Sequence, residues 1–308
     1  MYLKLCGFGS IIEVYSSLIF IIIQNRPDEK GVLVNFLKKV LIFMSMLQNS
    51  RRIVVKVGTS TLTHATGALN IRRIESLVRV LSDFKNAGKQ IVLVSSGAVS
   101  AGVAKVGASR PTTIEGKQAM AAIGQSELMK LYDGLFSLYG HTVAQMLLTR
   151  DVMDNPTRRA LAGNTFESLL EMGCVPIVNE NDPVSTDELT KFGGNDILSA
   201  HVSRVCRADV LLNLSDVDGL YDRDPRKHPD ARLIERVEHI GDVLPAAGGA
   251  GTERGTGGME AKLRAAALAV EAGIPMFILN GHDPEILYRL LDGEHIGTYF
   301  TATRGGNV

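Results

Sequence analysis

An excess of either charge is missing from this chain: 33 Lys and Arg residues balance 33 Asp and Glu residues over 308 positions. That balance excludes a general nucleic-acid or membrane-surface binder, since both need a field of one sign. Cysteine is scarce too. Cys6, Cys174 and Cys206 are far apart, with no CxxC pair and no nearby histidine cluster. This excludes a disulfide framework and a zinc site, and fits reduced thiols in a cytoplasmic protein. Cys206 falls in a helical pattern and Cys174 precedes an apolar strand, so both read as small buried apolar side chains. A membrane-spanning run is also lacking. The apolar patch Val14 to Ile23 is too short to cross a bilayer and has Glu13 at its side. No small-residue cleavage site follows it, and only Lys4 supplies an early positive charge, which argues against a signal peptide. Residues 1–48 are therefore expected to be an N-terminal extension, disordered or lying upstream of a start at Met44 or Met46.

A Walker loop is missing as well. The late run GTERGTGGMEAKLRAA, Gly251 to Ala266, ends with Lys262 between Ala261 and Leu263 and has no following hydroxyl. Its glycines would still let backbone amides approach an anion, and the helix start after them adds partial positive charge. The run thus suits phosphate held by another architecture.

From Arg51 onward strand and helix signals alternate with short spacers, without a fixed-period repeat or low-complexity linker. RIVVKV reads as a buried parallel strand. Asn70 can cap a helix carrying Ile71, Ile74, Leu77, Val78, Leu81 and Phe84 at helical spacing, and Gly88 can end it. QIVLVSSGA is a second buried strand entering a glycine turn. A long helix follows around Ile114 to Tyr139, then strand TVAQMLL, a helix to Met172 and strand CVPIVNEND. Beyond a polar segment come a helix from Asn195, strand DVLLNLSD, a hairpin region, the glycine run with its helix, and strand IPMFILN. This alternation predicts an α/β fold: one domain over 49–308, with an open, mostly parallel central sheet covered by helices on both faces.

Ligands of open parallel sheets sit beyond the carboxyl ends of the strands, and there the polar and glycine residues of this chain gather. The strand ends read KVGTSTLT, VSSGAVSAG, VNENDPVSTDELTKFGGND and LSDVDGLYDRDPR. Singly, each has a plain explanation: a surface lysine at Lys56, a strand-to-helix turn at Ser95 to Gly97, a solvated acidic loop at NEND. Together they supply what phosphoryl transfer requires, namely cations for developing charge, amides for phosphate, and carboxylates for a cation or amine.

The ordered set KVGTSTLT, VSSGAVSAG, AQMLLTR, PIVNENDPVS, GNDILSA, SDVDGLYDRDPR and GTGGMEAKLRAA resembles the amino acid kinase family, and within it the glutamate 5-kinases. The likeness covers roughly Arg51 to Phe300. It implies an αβα sandwich that phosphorylates the γ-carboxylate of L-glutamate with ATP and Mg²⁺, the first step of proline biosynthesis. Lys56 and Lys262 correspond to the lysines that contact the transferring phosphoryl group, and Asp196 to the aspartate that holds them. Ser96, Asp182 and Asn195 match glutamate-binding positions. Lys56, Gly58, Ser215, Asp216 and the segment Thr256, Gly257, Gly258, Met259, Glu260, Ala261 and Lys262 match the nucleotide site. No residue is assigned as a metal ligand.

The resemblance further implies a homo-oligomer, dimer or tetramer, feedback inhibition by proline, and a γ-glutamyl phosphate reductase downstream. Because the chain ends shortly after GTYF, the RNA-modification-type (PUA) C-terminal domain of many relatives is not expected. Gly194 in FGGND stands where the family usually has an acid, leaving one carboxylate fewer for the substrate amine. Rival readings are a family member with a different carboxylate or phosphate acceptor, and a non-catalytic sensor. The acids of NEND favour an amine-bearing acceptor over a phosphate, and the presence of Lys56, Lys262 and Asp196 disfavours the sensor.

Overall fold

The structure, a computed structural model, describes residues 47–185, 194–243 and 258–302. The chain divides into two compact units, Met1–Asn49 with Leu291–Gly293 and Ser50–Leu290 with Glu294–Val308, and the second holds the sheet. In chain order the first elements are β1 (Arg52–Val57), α1 (Thr59–Leu62), α2 (Ile71–Asn86), β2 (Gln90–Ser95), α3 (Ala98–Val106) and α4 (Ile114–Ser137). They continue with β3 (Val143–Leu148), α5 (Arg150–Asp154), α6 (Pro156–Glu171), β4 (Val175–Glu180), α7 (Gly194–Val205) and β5 (Val210–Ser215). β6 (Arg236–Val237), α8 (Met259–Glu271), β7 (Met276–Asn280), α9 (Ile286–Leu291) and β8 (Thr298–Phe300) complete the described residues.

The sheet runs β3-β4-β2-β1-β5-β7-β8-β6, and every neighbouring pair is parallel except β7 and β8. Short runs of Val, Ile and Leu make central strands buried on both faces, and β4 and β5 are buried along their whole length. Alternation then decides which side chain meets which helix layer. Val54, Val94, Val178 and Leu211 pack with Phe166 of α6, Val202 of α7 and Leu263 of α8 in one cluster. Lys56 and Asn213, two residues beyond Val54 and Leu211, project from the same face, and the β1–β5 register sets them side by side. The other face carries α2 against β2 and α4 against β3. Phe136 and Tyr132 of α4 are wholly buried there, each such side chain contributing about 1.5–3 kcal/mol.

Asn70 caps α2 as anticipated, its Oδ1 accepting from Arg73 N at 3.1 Å. Ile71 is the exception on that helix: in its first turn it points outward and is 45% exposed. Helix α3 does not stand out in the sequence, being only nine residues long and made mostly of Ala and Val. It packs tightly on α4. A Cβ on Gly124 would lie 1.8 Å from Ala98 O, and one on Gly102 1.9 Å from Met120 O, so missing side chains let the two backbones touch. The anticipated hairpin reduces to a single antiparallel bridge, Tyr221 with Leu233, after which β6 pairs in parallel with β8.

Candidate active site

Three buried charges meet beside the C-terminal halves of β1 and β5. Lys56 Nζ lies 2.8 Å from Asp196 Oδ1, and Lys262 Nζ lies 3.2 Å from Asp196 Oδ2. Each side chain comes from a different element: β1, the first turn of α7, and the first turn of α8. Asn213 of β5 completes the arrangement, its Nδ2 donating to Asp196 Oδ1 over 2.6 Å. Burial alone would push the Asp196 carboxyl up, but the two ammonium groups and the donated hydrogen bonds outweigh it and hold that carboxyl well below the usual carboxylate range. One carboxylate between two lysines leaves an excess positive charge in a site shielded from water. Such a site suits a transferring anionic group.

A second group lies at the ends of β2 and β4. Asn195 Nδ2 donates to Ser96 Oγ at 2.8 Å and to Asn179 Oδ1 at 2.9 Å. Asn179 Oδ1 also accepts from Glu180 N at 2.9 Å. Ser185 donates from Oγ to Glu180 Oε1. Asp182 is buried, and its Oδ1 has no hydrogen-bond partner among the described residues. Burial, followed by the neighbouring Glu180 charge, raises its carboxyl to about 7. A cavity of about 620 Å³ opens beside this pair, between α4 and β3, with Gln125, Met129, Gln145, Glu180 and Asp182 in its wall. Lys56, Asp196 and Lys262 are not part of that wall. A buried, unpartnered acidic oxygen calls for a cation or a hydrogen-bond donor from a ligand.

The remaining anticipated residues are spread around the lysines. A Cβ on Gly58 would lie 3.5 Å from Lys56 Nζ, so the glycine leaves the approach to that amine open. Ser215 is buried at the end of β5, its Oγ donating to the exposed Asp216 at 3.2 Å. Gly258 precedes α8 with no side-chain cap, so the first-turn amides at Met259, Glu260 and Ala261 face no capping group of the helix itself. The Glu260 side chain points elsewhere, pairing with Arg264 at 2.8 Å. Thr256 and Gly257 lie outside the described residues. Among the described residues no cluster of three or more His, Cys, Asp or Glu could hold a metal ion. Sequence reading did not single out Asn213, Gln125 or Tyr132, and took Asn179 only as part of NEND. A polar residue within a fully buried strand was the available signal for the two asparagines.

The amino acid kinase family profile matches residues 51–280. The chain belongs to that family. This amino acid kinase is 53% identical over 264 residues to a glutamate 5-kinase of Clostridium perfringens, covering 84% of this chain and 98% of that relative. It is 49% identical over 263 residues to a glutamate 5-kinase of Listeria monocytogenes, covering 84% and 95%. A UMP kinase from Bacillus anthracis shares the fold with a TM-score of 0.57 at 19% identity, over 82% of this chain and 96% of that one. An isopentenyl phosphate kinase of T. acidophilum gives 0.56 at 17%, over 81% and 99%. Among the described residues, no helix of this amino acid kinase is long and apolar enough to cross a membrane.

Proposed function

We propose that this chain is a glutamate 5-kinase, transferring the γ-phosphoryl group of ATP to the γ-carboxylate of L-glutamate. The observation that carries the reading is the buried Lys56–Asp196–Lys262 bridge standing near an acidic, partly unsatisfied pocket at Glu180 and Asp182. The half-identical relatives with that name agree with it.

The substrate carboxylate is already ionised and needs no general base. Its oxygen attacks the γ-phosphorus in line, the bond to the β-γ bridging oxygen breaks, and ADP leaves with that electron pair. The enzyme's task is to align two anions and offset their repulsion. Lys56 and Lys262 supply the positive charge, and Asp196 keeps both amines in place. Ser96, Asn195 and Asp182 hold glutamate, with Asp182 opposite the ammonium group. Gly58, Ser215, Asp216 and the start of α8 receive the nucleotide. Mg²⁺ would arrive with ATP, held largely by phosphate oxygens and water, which suits a site with few carboxylates. The product is an acyl phosphate, reactive enough to require prompt use by a reductase. A cytoplasmic homo-oligomer inhibited by proline belongs to the same reading, as does a dispensable segment 1–48.

ADP release measured across a panel of acceptors tests this function. Release with L-glutamate, and not with acetylglutamate, aspartate, carbamate, UMP or isopentenyl phosphate, is expected. Equal or better turnover with any other acceptor would overturn it. Repeating the glutamate assay with added proline tests the inhibition.

A further inference from the structure

Helix α4 carries three polar side chains at seven-residue spacing, Gln118, Gln125 and Tyr132. Seven residues are close to two turns, so the three lie along one stripe, roughly 10 Å apart from one to the next. Each bonds a different segment beside the proposed acceptor residues. Gln118 Nε2 donates to Asp182 O at 3.0 Å, with Pro183 O and Ser185 O at 3.4 and 3.5 Å. Gln125 Oε1 accepts from Asn179 Nδ2 at 2.9 Å. Tyr132 OH lies 2.8 Å from Ser95 Oγ, wholly buried.

Two of these bonds converge on one residue. From Gln125 the contacts run through Asn179 to Asn195, and Asn195 donates to Ser96 Oγ. From Tyr132 they run through Ser95, whose hydroxyl donates to Ser96 O at 3.1 Å. The stripe therefore connects to Ser96, Asn195 and Asp182, and its hydrogen bonds among the described residues include none to Lys56, Asp196 or Lys262. Packing of α4 is carried by Ala121, Gly124, Leu128, Phe136 and the Tyr132 ring, all buried, and needs neither the Gln118 and Gln125 amides nor the Tyr132 hydroxyl. Packing alone does not call for polar groups along the stripe.

We infer that α4 is a rail that sets the acceptor pocket, with Gln118, Gln125 and Tyr132 as positioning residues for the acceptor. The inference rests on the proposed acceptor roles of Ser96, Asn195 and Asp182. Its consequence is selective. Loss of one of these hydrogen bonds loosens acceptor binding while the phosphoryl-transfer lysines stay in place.

The test compares Gln125→Met and Tyr132→Phe in the full chain, each alone and in a Ser96→Ala background. Each alone should raise KM for glutamate roughly five- to tenfold. ATP KM and kcat should stay within about twofold of wild type, with normal melting. In the Ser96→Ala background Gln125→Met should raise glutamate KM by less than it does alone, because part of its path reaches Ser96 Oγ through Asn195, whereas Tyr132→Phe should keep its full effect, because its path ends on the Ser96 main-chain oxygen that alanine retains. Gln118→Met acts through Asp182 and should still raise it there. An unchanged glutamate KM in both folded variants overturns the inference. So does a parallel rise in both substrates' KM, or an undiminished Gln125→Met effect in the Ser96→Ala background, either of which marks general loosening. If the wild-type chain turns over another acceptor in place of glutamate, the proposed function fails, and the same split in KM for that acceptor decides the rail. A chain inactive with every acceptor overturns both.

Discussion

Asn213 Nδ2 donates to Asp196 Oδ1 over 2.6 Å, with both side chains buried. The bond fixes the carboxylate that orders Lys56 and Lys262. Asn213→Leu removes a hydrogen bond to a charged group, a loss of about 1.5–3 kcal/mol, yet it also removes Asn213 Oδ1, which is buried without a hydrogen-bond partner among the described residues. Relief of that unsatisfied oxygen is of similar size, about 1–3 kcal/mol, so melting should change little. Catalysis has no such compensation. kcat should fall roughly tenfold, equivalent to about 1.4 kcal/mol, with glutamate KM near wild type. A thermal melt beside steady-state kinetics checks both halves, and an unchanged kcat would make the asparagine a passenger of the sheet.

Lys262→Ala should be more severe. Lys262 is buried at the start of α8 and bonds Asp196 at 3.2 Å, so its charge acts where negative charge develops in the transition state. kcat should drop on the order of 10² to 10³, as for loss of one preorganised donor. Lys56 still neutralises Asp196, so the variant should fold. Near-normal turnover in a folded variant would remove Lys262 from the mechanism.

Much of the fold was legible because local pattern governs it. Asn70 and the spacing from Ile74 to Phe84 mark α2, and the apolar runs mark β1, β2, β5 and β7. The charged residues of the site were legible as a set gathered at the strand ends, and their individual roles only through resemblance, since Lys56 alone reads as a surface lysine. Asn213 was missed for a physical reason: its partner Asp196 comes from α7, and the β1–β5 register that sets it beside Lys56 joins positions 157 residues apart, and neither leaves a trace in local periodicity. The same holds for Tyr132, whose value depends on Ser95 in a distant strand. Short elements also escaped. α3 packs at a glycine crossing, and the three-residue β8 gains its place by pairing with β7 and β6.

Glutamate affinity should depend on pH through Asp182. Its carboxyl is raised to about 7 by burial and by the Glu180 charge, so it ionises only as pH rises through that value. An ammonium group binds the ionised form. KM for glutamate should therefore rise as pH falls below about 7, approaching tenfold per pH unit if this one group governs binding. The linkage to stability has the opposite sense. Without substrate, the folded state binds more protons than the unfolded state between about pH 4 and 7, so this group makes the free protein less stable as pH rises through that window. Bound glutamate should offset the loss, giving a ligand-induced rise in Tm that grows with pH. A KM flat from pH 5.5 to 8 would remove Asp182 from amine recognition.

A chain beginning at Met46 should be soluble and as active as the full-length protein. The family match begins at residue 51, and the site residues described here all lie beyond it. Activity of the full chain combined with inactivity of the shortened one would show that the first 45 residues contribute to the enzyme.

Gly194→Asp separates binding from folding. Gly194 opens α7 with φ +50°, in the left-handed region, and stands directly before Asn195 and Asp196. Placing a side chain there costs roughly 1–2 kcal/mol for an ordinary residue, and less for Asp, whose short polar side chain bonds locally. That strain is present in both the free and bound enzyme, so it lowers Tm without entering KM. The added carboxylate acts on the other quantity. At ~4 Å from an ammonium group it attracts by ~1 kcal/mol in water and ~4 kcal/mol at an effective dielectric near 20, and desolvation holds the net gain towards the lower figure. Glutamate KM should fall by up to about tenfold, with kcat unchanged because the ammonium lies away from the reacting carboxylate. Gly194→Ala is the control: it carries the strain without the charge, so it should lower Tm by as much or more and leave KM where it was. A raised or unchanged KM in folded Gly194→Asp would mean that the ammonium group is held away from the start of α7.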